Sequence, residues 1–356
     1  MANFPSHPDA IALDWLSERL RAAGVLDGEV TALRWKPIGT GQVGDSARIF
    51  LNYDRPGAGP PTIAAKYSAA DETSRATAAA FGLYAKEVGF YRELRDLVEV
   101  RVPVPLVAEI DPGGVEFLLL FEDLGPARGG NQLTSCSPAD ARAGIRQAAA
   151  LHAPSWNNPA IVDLPWLQAA PAVVEQIGLL YPNAQAVFRA RYADVLEPEF
   201  MAICDELNEA REAWHGRNNA DRCLMHGDFR LDNMLFDIKG GAEPIAVLDW
   251  QTVGIGNGLV DIGYFLGTGI GDELRRVHEA ELLDLYCAEM TARGVPLSRD
   301  AIWDDYVVGA IHGVSTAVFS AAHVERTARG DANFLSMARG GCALALQHGS
   351  LGKLTG

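Results

Sequence analysis

Residues 226–233 read HGDFRLDN, a polar stretch in which Asp228 and Asn233 stand five positions apart. A carboxylate can accept the proton of a reacting hydroxyl group, and a neutral amide nearby can hold a metal ion without adding charge. The alternative is an ordinary turn, because Asp and Asn are favoured in turns. We predict that Asp228 is a general base and that Asn233 is a metal ligand.

The segment after Asn233 strengthens this prediction. Residues 234–237 (MLFD) and 245–250 (IAVLDW) have the character of strands, and the sequence KGG at 239–241 is typical of a turn between them. A hairpin returns the chain to its starting point, so Asp249 is expected beside Asn233, where both would hold magnesium on nucleotide phosphates. The alternative for Asp249 is a strand-ending aspartate that caps the next turn.

A glycine string lies near the start of the chain, where residues 39–44 read GTGQVG. Dinucleotide-binding folds use the same G-x-G-x-x-G pattern, but they need a helix after it, whereas the following ARIFLNY segment has strand character. A strand–loop–strand cover over phosphates is the arrangement of kinases, which place a valine where this chain has Ser46. The loop is therefore expected to differ in shape, and a plain hairpin turn is the alternative. We predict that the following residues bind the nucleotide: Gly39, Gly41, Gly44 and Ser46.

Lys66 lies on a short, mostly apolar stretch at 62–67 that is predicted to be a strand. A lysine on a half-buried strand needs an anionic partner, and we predict that this partner is phosphate. Glu87, on the predicted helix at 74–98, is expected to hold the lysine in place, with Glu93 as its rival. The alternatives are a surface lysine and a solvated helix charge.

The order of predicted elements indicates an α+β protein with two lobes. A helix at 8–23, three strands, the helix at 74–98 and a buried strand at 115–121 form a small β-rich N-terminal lobe with one long helix. Helices dominate after residue 138 and form a larger α-rich C-terminal lobe.

The boundary between the lobes is expected near 121–125, which gives an N-terminal nucleotide-binding lobe over 1–124 and a C-terminal catalytic and substrate-binding lobe over 125–356. Backbone groups of this linker, at Glu122 and Leu124, are expected to contact the adenine of the nucleotide.

Composition excludes some classes of partner. The formal net charge of −16 argues against nucleic acid, which usually requires a basic surface. No apolar run reaches the length of about 18 residues needed to cross a membrane. The five cysteines are scattered and odd in number, which fits a reducing compartment, and the first ten residues lack a signal-peptide pattern. We therefore expect a cytoplasmic enzyme.

The motifs also resemble those of a known family. HGDFRLDN, LDWQ at 248–251 and LHA at 151–153 resemble the aminoglycoside phosphotransferase and choline kinase-like superfamily, over about residues 30–270. The E-x-x-F-Y string at 87–91 resembles its ecdysteroid kinase-like and acyl-CoA-dehydrogenase-associated branches. The resemblance implies a bilobal protein-kinase-like fold that uses ATP and magnesium to phosphorylate a small-molecule hydroxyl.

The same resemblance assigns roles to individual residues. It implies that Asp228 is the base, that Asn233 and Asp249 are the magnesium ligands, and that Lys66 contacts the phosphates. It also implies that Asp261, in the string VDIG at 260–263, braces the catalytic loop as a structural residue.

Two departures separate the chain from protein kinases. Gly227 replaces the arginine of H-R-D, and Asp249 is followed by Trp250 and Gln251 in place of D-F-G. No A-P-E segment follows, so regulation through a phosphorylated activation loop is disfavoured. The remaining alternatives to a small-molecule kinase are a non-catalytic nucleotide-binding relative and, less favoured, a protein kinase.

The sequence leaves the acceptor open among an aminoglycoside, an amino alcohol, a sugar and a hydroxyacyl-CoA. The acidic stretch at 194–214 would attract an amine, but a solvated helix face is the favoured interpretation of such a charge run.

Overall fold

The N-terminal part of the computed structural model, which describes residues 4–39, 43–168, 171–217 and 220–355, is built on an antiparallel sheet of five strands. The strands are β1 (Val30–Pro37), β2 (Gly44–Tyr53), β3 (Thr62–Ser68), β4 (Pro105–Ile110) and β5 (Phe117–Glu122). Their order in the sheet is β1-β2-β3-β5-β4. The three strands predicted before residue 70 and the buried strand near 115–121 are confirmed.

Strand β4 is absent from the predicted elements. It begins at Pro105 and forms one edge of the sheet, where a proline without an amide hydrogen is tolerated. The neighbouring prolines in the sequence VPVP at 102–105 mask its strand character, because proline normally argues against a strand.

The long helix predicted over 74–98 is wrong as a single element. The segment forms α2 (Glu72–Ala80) and α3 (Leu83–Gly89), followed by a π-helical turn and a short 3-10 turn. Gly82 separates the two helices because it adopts a left-handed conformation, with φ of 66°, which is a common way to end a helix. The helix predicted over 8–23 likewise divides, into a 3-10 turn and α1 (Leu13–Ala22).

The C-terminal part is mostly helical, as predicted. Its helices are α4 (Pro138–Ser155), α5 (Pro159–Val162), α6 (Pro171–Tyr192), α7 (Pro198–Glu209), α8 (Arg211–Gly216), the single turn α9 (Ile238–Gly241), α10 (Leu259–Tyr264), α11 (Asp272–Ala292), α12 (Arg299–Gly309), α13 (Ile311–His323), α14 (Ala328–His348) and α15 (Ser350–Thr355). The α+β class with a small sheet lobe and a larger helical part is confirmed.

Two small sheets lie within this helical part. Their strands are β6 (Arg128–Gly129), β7 (Cys223–Met225), β8 (Met234–Asp237), β9 (Glu243–Val247) and β10 (Gly254–Gly256). Strands β8 and β9 form the predicted hairpin next to β6, and β7 pairs with β10. The turn α9 between β8 and β9 contains residues with positive φ, including Lys239 and Gly240.

An aromatic stack connects the helical segment of the N-terminal part to the hairpin. The rings of Phe90 and Trp250 are parallel, with centroids 3.8 Å apart, and both residues are fully buried. Phe90 follows α3 directly and Trp250 follows Asp249, so the stack fixes α3 relative to the loop after β9. Among the described residues, no helix combines the length and apolarity needed to span a membrane.

Candidate active site

A buried carboxylate holds the loop that follows β7. The side chain of Asp261, on α10, accepts hydrogen bonds from the backbone amides of His226 at 2.7 Å and Gly227 at 3.0 Å. His152 Nε2 lies 3.3 Å from the same carboxylate, and its Nδ1 lies 3.0 Å from the hydroxyl of Tyr286. Although burial opposes ionisation, these partners keep the pKa of Asp261 below its ordinary value. Asp261 thus lies where the bracing role inferred from the resemblance requires it.

Gly227 is the point at which the loop turns. Its φ is 80°, and a Cβ atom at this position would lie 2.6 Å from the backbone oxygen of Thr252. A side chain here is therefore excluded both by backbone conformation and by contact with the neighbouring loop.

We expect Gly227→Ala to lower the free energy of unfolding by roughly 1–3 kcal/mol from the backbone conformation alone, with a further cost from the contact. Chemical denaturation measures this change directly. Gly178→Ala is the matched control, because Gly178 lies within α6 with nothing within 4 Å of its added Cβ, so alanine should be neutral or stabilising there. Equal stability of Gly227→Ala and the wild type would contradict the assigned strain.

Three donors surround the carboxylate of Asp228. Oδ1 accepts from Arg230 Nε at 2.9 Å and from the hydroxyl of Tyr264 at 2.8 Å, and Oδ2 accepts from Asn233 Nδ2 at 2.8 Å. Burial favours the neutral acid, but the charges of Arg230 and His226 and the hydrogen bonds outweigh it and lower the pKa of Asp228. The carboxylate is therefore ionised near neutral pH and held in one orientation.

The sequence patterns assign no role to Tyr264, nor to Arg230, although Arg230 lies within HGDFRLDN. The one available trace of Tyr264 is its position three residues after Asp261, which places both side chains near one face of α10. Arg230 lies two residues after Asp228, and its contact depends on the loop conformation.

The hairpin brings Asp249 back toward Asn233, as predicted. Met234 of β8 pairs with Val247 of β9, and the amide of Leu248 donates a 2.8 Å hydrogen bond to the carbonyl of Asn233. Asp249 follows immediately, with φ of 65°, so the chain turns sharply at this residue. Asp228, Asn233 and Asp249 thus converge at one end of the hairpin.

Lys66 joins the sheet to this hairpin. Its Nζ lies 2.7 Å from Oε2 of Glu87 and 2.9 Å from Oδ1 of Asp249. Burial opposes the charge of Lys66, but the two carboxylates outweigh it and raise the pKa of the lysine. Glu87 is 1% exposed, whereas its rival Glu93 accepts a hydrogen bond from Trp166 Nε1 at 2.9 Å. The structure therefore selects Glu87 as the partner of the lysine.

The glycine string is flanked by two strands, β1 and β2, as predicted. β1 and β2 pair in antiparallel fashion, Gly39 follows β1 with φ of 76°, and Gly44 begins β2. Ser46 of β2 stands opposite Lys66 of β3 in the register of the sheet. Gly41 lies outside the described residues. Contact of these residues with a nucleotide stays a prediction.

The predicted linker residues are tied to the hairpin. Glu122 accepts hydrogen bonds from Arg101 Nη1 at 2.8 Å and from the amide of Val104 at 2.9 Å, and it forms a 2.7 Å ion pair with Lys239. The carbonyl of Leu124 accepts a 2.8 Å hydrogen bond from the amide of Lys239. The Glu122 side chain thus serves this charge network, and its amide donates a 3.0 Å hydrogen bond to the carbonyl of Val104. Contact of Glu122 and Leu124 with adenine stays a prediction.

The residues present fit a magnesium site that is completed by phosphates. Within the described ranges, no group of three or more His, Cys, Asp or Glu side chains is arranged to hold a metal. Magnesium is usually held by one or two protein oxygens together with substrate phosphates and water. The amide nitrogen of Asn233 is engaged by Asp228, which leaves its amide oxygen for a cation beside the carboxylate of Asp249.

A protein-family model described as "Phosphotransferase enzyme family" matches residues 66–295, which is more than half of the chain. The matched range begins at Lys66 and contains Glu87, Asp228, Asn233 and Asp249.

Two curated proteins share a short segment with the chain. Acyl-CoA dehydrogenase family member 11 of Homo sapiens is 48% identical over 48 residues, which is 14% of this chain and 6% of that protein. Acyl-CoA dehydrogenase family member 10 of Mus musculus is 49% identical over 41 residues, which is 12% of this chain and 4% of that protein. The matched segment thus spans only a small part of the length of these relatives.

Three solved structures share the fold at low sequence identity. A protein of Ralstonia eutropha JMP134 assigned as an aminoglycoside phosphotransferase has a TM-score of 0.57 and 16% identity, and the match covers 94% of this chain and 99% of that chain. The GDP complex of aminoglycoside 2'-phosphotransferase-IIIa has a TM-score of 0.53 and 14% identity over 88% and 93% of the two chains. Choline kinase LicA from Streptococcus pneumoniae has a TM-score of 0.50 and 14% identity over 93% and 98%.

Proposed function

Because the chain belongs to the phosphotransferase enzyme family, and is a small-molecule phosphotransferase by that membership, we propose that it uses ATP and magnesium to phosphorylate a hydroxyl group. The family is the superfamily predicted from the motifs HGDFRLDN and LDWQ. We propose ATP as the nucleotide, magnesium as the metal, and a specific role for each site residue.

The arrangement around Asp228 is the observation that carries it. An ionised carboxylate, fixed by Arg230, Tyr264 and Asn233, suits a group that orients a hydroxyl and accepts its proton. As the acceptor oxygen bonds to the γ-phosphorus, the bond from that phosphorus to the ADP oxygen breaks, and the hydroxyl proton passes to Asp228. Positioning and charge neutralisation supply most of the rate enhancement in such transfers.

Lys66 and Asp249 are the charged side chains that would bind the phosphates of the nucleotide and its metal ion. Lys66 keeps Glu87 as its anchor and would offer its ammonium group to the phosphates, and Asp249 and the amide oxygen of Asn233 would hold the metal. Magnesium, when bound, neutralises negative charge on the phosphate oxygens. Lys66 Nζ lies 2.9 Å from Asp249, so the lysine and the carboxylate would serve the same nucleotide site.

The connection from Asp249 to α10 argues for a small-molecule acceptor rather than a protein. Residues 250–258 complete this connection, and they include β10 and the buried Trp250. Every residue from 249 to 264 is described, and this stretch leaves no room for a long activation segment.

Thermal denaturation with ATP, with magnesium and with both tests the proposal. Ligand that binds only the folded state raises the melting temperature. We expect a clear rise with ATP and magnesium together and a much smaller rise with ATP alone. An absence of any shift with either ATP or GTP in the presence of magnesium would favour a non-catalytic relative without a nucleotide site.

We expect Tyr264→Phe to lower kcat by about tenfold, the effect of losing one hydrogen bond to a charged group. The hydroxyl of Tyr264 lowers the pKa of Asp228, so its removal should raise that pKa and move the acidic limb of the pH–rate profile to higher pH. Tyr53→Phe is a control, since its hydroxyl bonds to the carbonyl of Pro60. A reduced kcat with an unmoved acidic limb would contradict the assignment of Asp228 as the titrating base.

A further inference from the structure

A half-buried guanidinium that forms no ion pair with any described residue lies at the end of α8. The guanidinium carbon of Arg217 stands 3.5 Å from the centre of the buried Trp214 ring, and Nη1 donates a 2.6 Å hydrogen bond to the carbonyl of Trp214. Among the described residues, no Asp or Glu carboxylate oxygen lies within 4.0 Å of it, although most other arginines of this chain have such a partner. Burial lowers the pKa of Arg217 to about 10.

His215 beside it has an unsatisfied buried atom. Its Nε2 is buried and has no hydrogen-bond partner among the described residues. Burial, followed by the charges of Arg217, Arg211 and His312, lowers the pKa of His215. A buried polar atom without a partner is costly, so it commonly marks a position that a water molecule or a ligand occupies.

This group of side chains adjoins the catalytic loop. The ring of His312 lies 6.4 Å from the ring of Trp214 and 5.2 Å from the ring of Tyr264. His312 Nε2 lies 2.7 Å from the carbonyl of Gly227, the residue before Asp228. Arg217 is therefore connected to Asp228 through three successive rings of the helical lobe, those of Trp214, His312 and Tyr264.

Capping of α8 explains only part of this arrangement. A guanidinium favours the carbonyl end of a helix, and the bond to the Trp214 carbonyl uses one of the five donors of Arg217. No described carboxylate oxygen lies within 4.0 Å of the remaining donors, and capping gives no partner to Nε2 of His215. Asp305 attracts the guanidinium from a greater distance, and its carboxylate accepts a 2.7 Å hydrogen bond from Asn257.

The carboxylates of the acidic stretch at 194–214 are either paired with arginines or exposed to solvent. Asp205 is paired with Arg189, and Glu197 is paired with Arg339 at 2.9 Å. The remaining glutamates of this stretch are exposed, as expected for a solvated helix face; they are Glu199, Glu206, Glu209 and Glu212.

We propose that Arg217 and His215 form an anion-binding subsite of the acceptor pocket, so that the phosphorylated hydroxyl compound carries a carboxylate or a phosphate monoester. The inference rests on the proposed function, because it assigns the substrate class of the same site. A bidentate contact of Arg217 with the anion, assisted by Nε2–H of His215, would satisfy the unpaired donors at once.

Matched linear compounds test the subsite by calorimetric titration. Hydroxyhexanoate, hexanediol, aminohexanol and hexanediol monophosphate share a terminal hydroxyl and differ in the opposite end, and butane and octane analogues vary the reach. We expect an anionic member to bind at least about tenfold more tightly than its diol, the effect of one charged hydrogen bond, and the amine to bind most weakly. The carboxylate and the phosphate monoester distinguish the two anion sources.

Variants assign the preference to Arg217. Arg217→Gln should bring the ratio of anion to diol affinity close to one, and Arg217→Lys should retain part of it. Arg276→Gln, which removes an exposed arginine paired with Asp272 on α11, is the control and should keep the wild-type ratio. If the wild type binds diols as tightly as hydroxy acids, or if Arg217→Gln lowers the melting temperature but keeps the ratio, the guanidinium only caps α8.

Running each titration with and without ADP and magnesium separates this inference from the proposed function. Binding of ADP and magnesium without any preference for anions overturns the subsite alone. A preference for anions without any nucleotide binding supports the subsite and overturns the proposed kinase activity.

Discussion

Asp228→Asn is expected to reduce kcat by about a hundredfold to ten-thousandfold, the range associated with loss of a general base. Asparagine keeps the shape of the side chain, so Asn233 can remain in place, but it cannot accept the hydroxyl proton. The affinity for ATP and magnesium should change only a few-fold, because the predicted nucleotide contacts belong to other residues. Steady-state kinetics and direct nucleotide titration measure the two quantities separately.

Asp237→Asn is the control for this experiment. Asp237 lies at the end of β8, is exposed and pairs with Arg128 on the surface. Its replacement removes a carboxylate from the same hairpin without touching the proposed site. An equal loss of nucleotide affinity and turnover in Asp228→Asn would mean that Asp228 organises the site as a whole and is not its base.

Asp249→Asn is expected to weaken binding of ATP in the presence of magnesium by about tenfold to a hundredfold, the effect of losing a charged ligand. Binding of ATP without magnesium should change much less, and this difference is the signature of a metal ligand. The variant also removes one of the two carboxylates that contact Lys66, so the pKa of that lysine should fall toward its ordinary value. Calorimetric titration at matched ionic strength gives both affinities.

Glu93→Gln provides the comparison, since Glu93 lies near Glu87 in sequence but bonds to Trp166. It should bind the nucleotide as the wild type does, with the same dependence on magnesium. If Asp249→Asn keeps the wild-type magnesium dependence, Asp249 is only a partner of Lys66, and the metal must be held elsewhere.

The hairpin that joins Asn233 to Asp249 could be predicted because its sequence signals are local. Asp228 and Asn233 lie in one short loop, and Asp249 is returned to them by a turn whose residues are recognisable. The strand character of the two flanking segments comes from their own apolar residues. The pairing of these strands therefore does not depend on contacts with distant parts of the chain.

The helix carrying Glu87 could be predicted only in outline. Its alanine-rich sequence indicates helix, but Gly82 breaks it, and the π-helical turn over Phe90–Leu94 changes the direction of the side chains beyond it. Periodicity therefore cannot decide between Glu87 and Glu93. The decision comes from the packing of α3 against the sheet and from the stack of Phe90 on Trp250.

Arg217 and Tyr264 illustrate what a sequence cannot supply. Arg217 is distinguished by having no described carboxylate oxygen within 4.0 Å, which depends on how α8, α12 and α13 lie relative to one another. Tyr264 contacts Asp228 across 36 residues of sequence. Such relations between charges appear only once the chain has folded.

Phosphorus NMR of the protein with ATP, magnesium and the matched hydroxyl compounds tests the central claim most directly. We predict that a phosphomonoester signal appears together with ADP, that it requires magnesium, and that Asp228→Asn loses it. Release of ADP and inorganic phosphate without any phosphomonoester, or a phosphomonoester that Asp228→Asn forms at the wild-type rate, would contradict phosphoryl transfer to a hydroxyl at this site.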